Sequence, residues 1–183
     1  MDVMRKALDT LYVACGVAAA LFLVAIFAIV LAQVFANSLD WVVARFSGTP
    51  VGLVVPSYAE IAGFFLAASS FLGLPYALRH GSHIRVTLVL MHLPLGLRKA
   101  FAVGVCFAGA AVSFYLAWYA LQLVLESHEF GDLSPGLVAI PLWIPQIPIA
   151  IGACVLGIAL VDSAVRFLQD GTDPACDLGA GSE

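Results

Sequence analysis

Charge is scarce in this chain, and it stays out of the apolar runs. Asp, Glu, Lys and Arg make up 11% of the 183 residues, where a soluble domain carries about 25%. The eight basic residues are outnumbered by twelve acids, giving a net charge of −4 and no basic surface for nucleic acid. Cysteine is nearly as limited. Cys15, Cys106 and Cys154 lie in apolar stretches and Cys176 near the C-terminal end, with no CxxC pair to suggest zinc or a disulfide framework. They read as small apolar fillers. The four histidines, His80, His83, His92 and His128, all fall outside the interiors of the apolar runs, so no axial ligand for a membrane haem is expected. His80 and His83 have i, i+3 spacing, but no neighbouring Cys, Asp or Glu completes a metal site. No cofactor and no catalytic group are expected from this inventory.

What the chain does have is apolar length. Hydrophobic residues make up 62% of it, and the mean hydropathy is +1.03. Residues 11–39, 61–78, 100–125 and 133–161 carry no charge. Crossing a hydrocarbon core takes about 20 helical residues, so each run supplies one span and none supplies two. Backbone in lipid must satisfy its own hydrogen bonds, which makes the spans helices. The expectation is an all-α membrane protein of four transmembrane helices, at about 11–35, 57–79, 99–125 and 146–167. These form one membrane domain over residues 1–168. Arg5 and Lys6 ahead of the first run, and Val34-Phe35-Ala36 after it, loosely resemble a secretory signal. The run exceeds the 7–15 residues of a signal core, so the first helix is expected to be retained.

The basic residues orient the chain. Arg5, Lys6, Arg79, Arg85, Arg98, Lys99 and Arg166 fall on one side of a four-span topology, and only Arg45 falls on the other. The positive-inside bias therefore puts both termini in the cytoplasm. Residues 169–183 contain Asp170, Asp173, Asp177 and Glu183 among Gly and Pro, and read as a disordered cytoplasmic tail.

Local features refine the picture. Asn37, Ser38, Asp40, Trp41, Arg45 and Phe46 suit a headgroup region, followed by a turn at Ser47-Gly48-Thr49-Pro50. Glu60 falls at the positive start of helix 2 and Arg79 at its negative end, while Pro75 interrupts its last turns. Glu60 has three readings: pairing with Arg45 or a partner protein, solvation at the interface, or a role in ion or proton movement. Between helices 2 and 3, Ile84, Leu88, Met91 and Leu95 recur at helical spacing beside Arg85 and His92. This stretch is too short and too charged to span, and reads as an in-plane interfacial helix against membrane lipid. Gly104 with Ala108, Gly109 with Ser113, and Gly152 and Gly157 are candidate points of close helix packing. Asp162 and Arg166, four apart, are placed to pair along one helix face.

In order along the chain, Asn37, Glu60, Leu72-Gly73, Arg79-His80-Gly81-Ser82-His83-Ile84-Arg85-Val86, Leu93-Pro94, Arg98-Lys99 and Pro148-Ile149-Ala150-Ile151-Gly152 resemble the DctQ-like small membrane subunit of TRAP transporters, the tripartite ATP-independent periplasmic transporters. The resemblance runs from about residue 8 to 168. Thr87 departs from the acidic residue common in the family after His-Ile-Arg-Val, and residues 44–58 form a longer connection than usual. The resemblance implies a scaffold and docking subunit, not an enzyme, in the bacterial inner membrane. It implies two protein partners, a large transport subunit and a periplasmic solute-binding protein, and import of a small organic solute commonly coupled to sodium. The local reading and the resemblance together make Arg45, Glu60, Arg79, His83, Arg85, Asp162 and Arg166 the candidate structural or partner contacts. The chain's own features fit, since it has neither a pair of broken helices nor a cluster of ionisable groups at bilayer depth. The alternative is a structural or cofactor-bearing small subunit of a membrane electron-transfer complex.

Overall fold

The computed structural model describes residues 2–47, 49, 52–80 and 95–170. Four helices account for nearly all of them: α1 (Asp2–Ser47), α2 (Tyr58–Arg79), α3 (Leu95–Phe130) and α4 (Trp143–Asp170). Each is long and apolar enough to cross a membrane. The expected interfacial helix, with His83 and Arg85, and the tail beyond Asp170 lie outside the described residues.

The helices stand in a row and do not close into a bundle. α1 packs on α2, α2 on α4 and α4 on α3, while α1 and α4 meet only marginally and α3 makes no substantial contact with α1 or α2. The chain order is therefore not the spatial order, which is α1–α2–α4–α3. Burial follows from this. The apolar spans of α2 and α4, in the middle, are 22% and 28% buried, against 11% for those of α1 and α3 at the edges. Large apolar side chains remain uncovered along both edge helices, among them Leu21, Val24, Phe27 and Phe35 on α1 and Val112, Tyr115 and Trp118 on α3. A soluble protein would not tolerate such a surface.

Small residues set the spacing between neighbours. Ala68, Ala110, Ala153, Ala159 and Ala164 are all buried. A Cβ added to Gly152 of α4 would lie 2.5 Å from the Phe71 carbonyl carbon, 2.6 Å from its oxygen and 2.9 Å from the Leu72 nitrogen, so two backbones touch here. Pro75, buried inside α2, has no N–H to donate to the carbonyl four residues back, which is that of Phe71. The α4 backbone thus approaches α2 at the carbonyl that has lost its helical donor. Gly16 of α1 lies under the Tyr76 ring, and Gly157 of α4 under the Phe114 ring. Ser69 Oγ donates to the Ala19 carbonyl at 3.0 Å, joining α2 to α1. Gly109 contacts Leu160 and Ser113 is buried, whereas Gly104 has nothing within 4 Å and Ala108 is exposed. Of the two small-residue pairs on α3, only the second meets another helix of this chain.

Three helices run past their expected ends. α1 continues through the stretch read as headgroup residues to Ser47. No Gly or Pro lies between Val17 and Ser47 to stop it, and Ser38 Oγ turns back to the Val34 carbonyl at 2.7 Å, leaving the helical path intact. Its 46 residues extend about 69 Å, more than the roughly 40–45 Å of a whole bilayer with headgroups. α3 extends to Phe130 and stops at Gly131, where φ is 66°. The Asp132 amide then donates to the Ser127 carbonyl at 3.0 Å, the closure that a left-handed glycine permits. α4 begins at Trp143, ahead of both Pro145 and Pro148, because Pro145 falls in the first turn where no amide is needed.

Candidate functional site

Polar side chains collect at the two ends of the row. The terminal end holds the start of α1 and the ends of α2 and α4. The distal end holds the α1–α2 connection and the α3–α4 loop.

At the terminal end, four charges from three helices converge. Asp9 of α1 lies 2.9 Å from Arg79, the last residue of α2, and 3.9 Å from Arg166 of α4. Arg166 in turn pairs with Asp162 one turn earlier, through both Nε and a terminal nitrogen at 3.1 Å. The Arg166 and Asp162 side chains are 14% and 15% exposed, and that of Asp9 is 46% exposed. The pair is thus sheltered and Asp9 faces the open side. The two acids and two bases of these four residues balance one another. Antiparallel passage of α1 against α2 and α4 brings these residues to one level, with Arg79 also at the negative end of its own helix. Tyr12, one turn after Asp9, is 1% exposed and sits in the apolar cluster with Cys15, Ala19, Leu72, Val155 and Ala159. Its hydroxyl has no hydrogen-bond partner among the described residues.

The Asp162–Arg166 pair follows from the i, i+4 spacing. Asp9 does not. Its only sequence signal is its position at the edge of the first apolar run, level with Arg79 and Arg166 once the spans are laid antiparallel.

The distal end is organised mostly by neutral hydrogen bonds, with one carboxylate among the acceptors. Gln33 Oε1 accepts the Val55 amide at 2.8 Å while its Nε2 donates to Asn37 Oδ1 at 2.8 Å. Asp40 Oδ1 accepts the Gly52 amide at 2.9 Å. Side chains that suited a headgroup region thus tie the α1–α2 connection back onto α1. Across the row, Gln146 of α4 donates to Ser127 of α3 at 3.1 Å, and His128 meets Trp143 edge to face with ring centroids 5.4 Å apart.

Glu60, in the first turn of α2, lies beneath the α3–α4 loop. Its Oε2 is buried and has no hydrogen-bond partner among the described residues. Gly136 rests so close that a Cβ there would overlap Oε2. Arg45 stays exposed on α1, and no ion pair between Arg45 and Glu60 is seen among the described residues. Of the sequence candidates, then, Arg79, Asp162 and Arg166 are brought together, Arg45 and Glu60 are not, and His83 and Arg85 lie outside the described residues. Among those residues no three His, Cys, Asp or Glu side chains converge as a metal site would require.

A row of four spans with charges at its ends and apolar surface between them describes an architecture but not a lineage. The family model for the DctQ component of tripartite ATP-independent periplasmic transporters matches residues 42–170. This chain belongs to the DctQ family. The DctQ match begins within the distal part of α1 and takes in all of α2, α3 and α4. It therefore includes Glu60, Arg79, Asp162 and Arg166, and leaves Asp9 and Gln33 in the preceding segment. Among individual relatives, the chain is 28% identical over 132 residues to the ectoine TRAP transporter small permease protein TeaB of Halomonas elongata, covering 72% of this chain and 66% of that protein. It is 31% identical over 113 residues to the isethionate TRAP transporter permease protein DctMQ of Oleidesulfovibrio alaskensis, covering 61% of this chain but only 16% of that one.

Proposed function

We propose that this DctQ chain is the small, non-catalytic scaffold subunit of a cation-coupled secondary transporter that imports a small organic solute. The observation that carries this reading is the open row itself. Four spans leave most of their apolar surface uncovered by one another, and the hydrogen bonds and ion pairs among the described residues mostly hold helices and loops together. Such a body is suited to packing against a larger membrane protein. A relative named as a DctMQ permease, of which this chain aligns with only 16%, supports a large membrane subunit as that partner. The family resemblance supports a periplasmic solute-binding protein, sodium coupling and an organic acid as solute. The distribution of Lys and Arg supports a bacterial inner-membrane location with both termini cytoplasmic, which puts the distal end on the periplasmic side. In this arrangement Glu60 contacts a partner protein, and the Asp9–Arg79–Arg166–Asp162 cluster fixes the order of the helices.

The test is reconstitution. Extracted in mild detergent, the chain is expected to co-purify in fixed stoichiometry with a much larger polytopic protein. Proteoliposomes holding both, with the binding protein outside, should accumulate solute under an inward sodium gradient. Transport by the chain alone would sink the scaffold assignment. Glu60→Gln should reduce co-purification and uptake while insertion persists, and Arg45→Gln should not. An impermeant thiol reagent should reach Cys176 only from the cytoplasmic face.

A further inference from the structure

Ser57-Tyr58-Ala59-Glu60 has the spacing of a capping box, in which the first hydroxyl accepts the amide of the fourth residue and the fourth carboxylate accepts the amide of the first. Here the box is open. Ser57 is the N-cap of α2 but adopts φ 53° and ψ 22°, and makes no side-chain cap hydrogen bond. It is the one non-glycine residue with positive φ among the described residues, a conformation that crowds any residue bearing a Cβ. Its Oγ instead accepts the Val138 amide of the α3–α4 loop at 3.0 Å. Glu60, the other half of the box, has its Oε2 buried under Gly136 of the same loop without a donor among the described residues. The loop has taken the place of the cap.

The loop is also tied to itself. The Ser134 amide donates to the Ile140 carbonyl at 2.9 Å and the Leu142 amide to the Asp132 carbonyl at 3.0 Å. Ser134 Oγ accepts the Ile140 amide at 3.2 Å and donates to the Val138 carbonyl at 3.3 Å. These bonds survive if the loop moves as a whole, and Gly131 with φ 66° marks where it leaves α3.

We propose that residues 131–142 form a cover with two positions. Seated, as here, the cover rests on Ser57 and Glu60 and holds the capping box open. Lifted, it lets Ser57 leave the left-handed region and the box close on α2, and it uncovers the Glu60 carboxylate. The crowded Ser57 backbone and the donorless Glu60 oxygen oppose seating, and the Val138 bond with the loop packing favours it. Seating therefore carries both a cost and a gain. The consequence for partners rests on the reading of Glu60 as a partner contact, because a cationic side chain can reach the buried Oε2 only when the cover is lifted. The motion itself does not depend on that reading.

Amide hydrogen exchange on the full chain in lipid nanodiscs tests the motion alone. Gly136→Ala pushes the cover off Glu60. The Val138 amide should then exchange faster by about fivefold, one hydrogen bond's worth. The Glu60 amide, captured by the freed Ser57 hydroxyl, should exchange more slowly by a similar factor. Val138→Pro removes the donor and reaches the lifted state by another route, with the same slowing at Glu60. Adding Ser57→Ala to either variant should abolish the slowing. A Glu60 amide that is unchanged or faster in both single variants overturns the proposal, since a static packing contact would only loosen. Slowing that persists without the Ser57 hydroxyl overturns it as well. Unchanged co-purification in Glu60→Gln, with the exchange pattern as expected, would overturn the partner reading and leave the cover standing.

Discussion

The two ends of this helix row are fastened by different chemistry. At the terminal end, three helices share four full charges, and Asp9 stands between two arginines that come from helices far apart in sequence. At the distal end, the described fastenings are mostly neutral: Gln33 holds the Val55 amide, Ser57 the Val138 amide and Ser127 the Gln146 side chain. The charged end ties α1, α2 and α4 together at one level, through Asp9, Arg79 and Arg166. The neutral end sets where loops lie on helices already in place. Charge is suited to the first task because its attraction acts over longer distances in a low-dielectric setting. Backbone amides are suited to the second because each one buried must find an acceptor.

The largest disruption would strike between the ends and undo both. Gly152 touches the α2 backbone at Phe71 and Leu72, so any side chain there forces α4 away from α2. Gly152→Val should destabilise the row by about 3 kcal/mol, the upper range for overpacking a close contact. Steric-trap unfolding in bicelles would measure it, and a loss below about 1 kcal/mol would mean the helices can re-space freely. Next comes Asp9→Ala, which leaves Arg79 and Arg166 facing each other without the acid between them. Breaking a buried pair costs about 3–5 kcal/mol, but Asp9 is nearly half exposed, and solvent screening reduces the expectation to about 1–2 kcal/mol. Restoring size without charge in Asp9→Asn should recover little of the loss if charge is what orders the helices. Full recovery would assign the effect to packing. At the distal end, Gln33→Leu leaves the Val55 amide without its acceptor and should cost about 1 kcal/mol. It should loosen residues 52–55 in amide exchange while the contact between α1 and α2 near Asp9 is kept.

How much of this was legible in the sequence depends on whether the information was local. The four spans follow from charge-free length, which lipid reads directly. Asp162–Arg166 follows from i, i+4 geometry within one helix. The far end of α1 did not follow, because Asn37, Asp40 and Arg45 have the composition of an interface while the stretch lacks the Gly or Pro that would stop a helix. The pairing of Asp9 was out of reach for a different reason. It requires α2 and α4 to be neighbours of α1 at one level, and in lipid the usual sign of which face is buried is missing, since apolar residues surround each helix on all sides. The same blindness made Gly104 with Ala108 look equivalent to Gly109 with Ser113, although only the second pair faces α4. Gly136 carried no signal at all, because its closeness to Glu60 exists only once the α3–α4 loop has folded over the start of α2.

The smallest expected effect sharpens where the charged end stops. Tyr12 lies one turn from Asp9, with its ring in the apolar cluster and its hydroxyl buried without a hydrogen-bond partner among the described residues. A buried hydroxyl that gives up water for no partner is a cost to the fold, so its removal relieves the desolvation and loses no bond. Tyr12→Phe keeps the ring and its contacts with Cys15, Leu72 and Val155. It should therefore leave stability unchanged or raise it by up to about 1 kcal/mol. A loss of 1 kcal/mol or more in the same unfolding measurement would show that the hydroxyl works with Asp9 or Arg166, and that the polar end reaches a full turn deeper into the row. The double variant with Asp9→Ala decides between these outcomes. Independent sites add within about 0.5 kcal/mol, whereas members of one network do not. Additivity would confine the charged end to Asp9, Arg79, Asp162 and Arg166, and leave Tyr12 to packing.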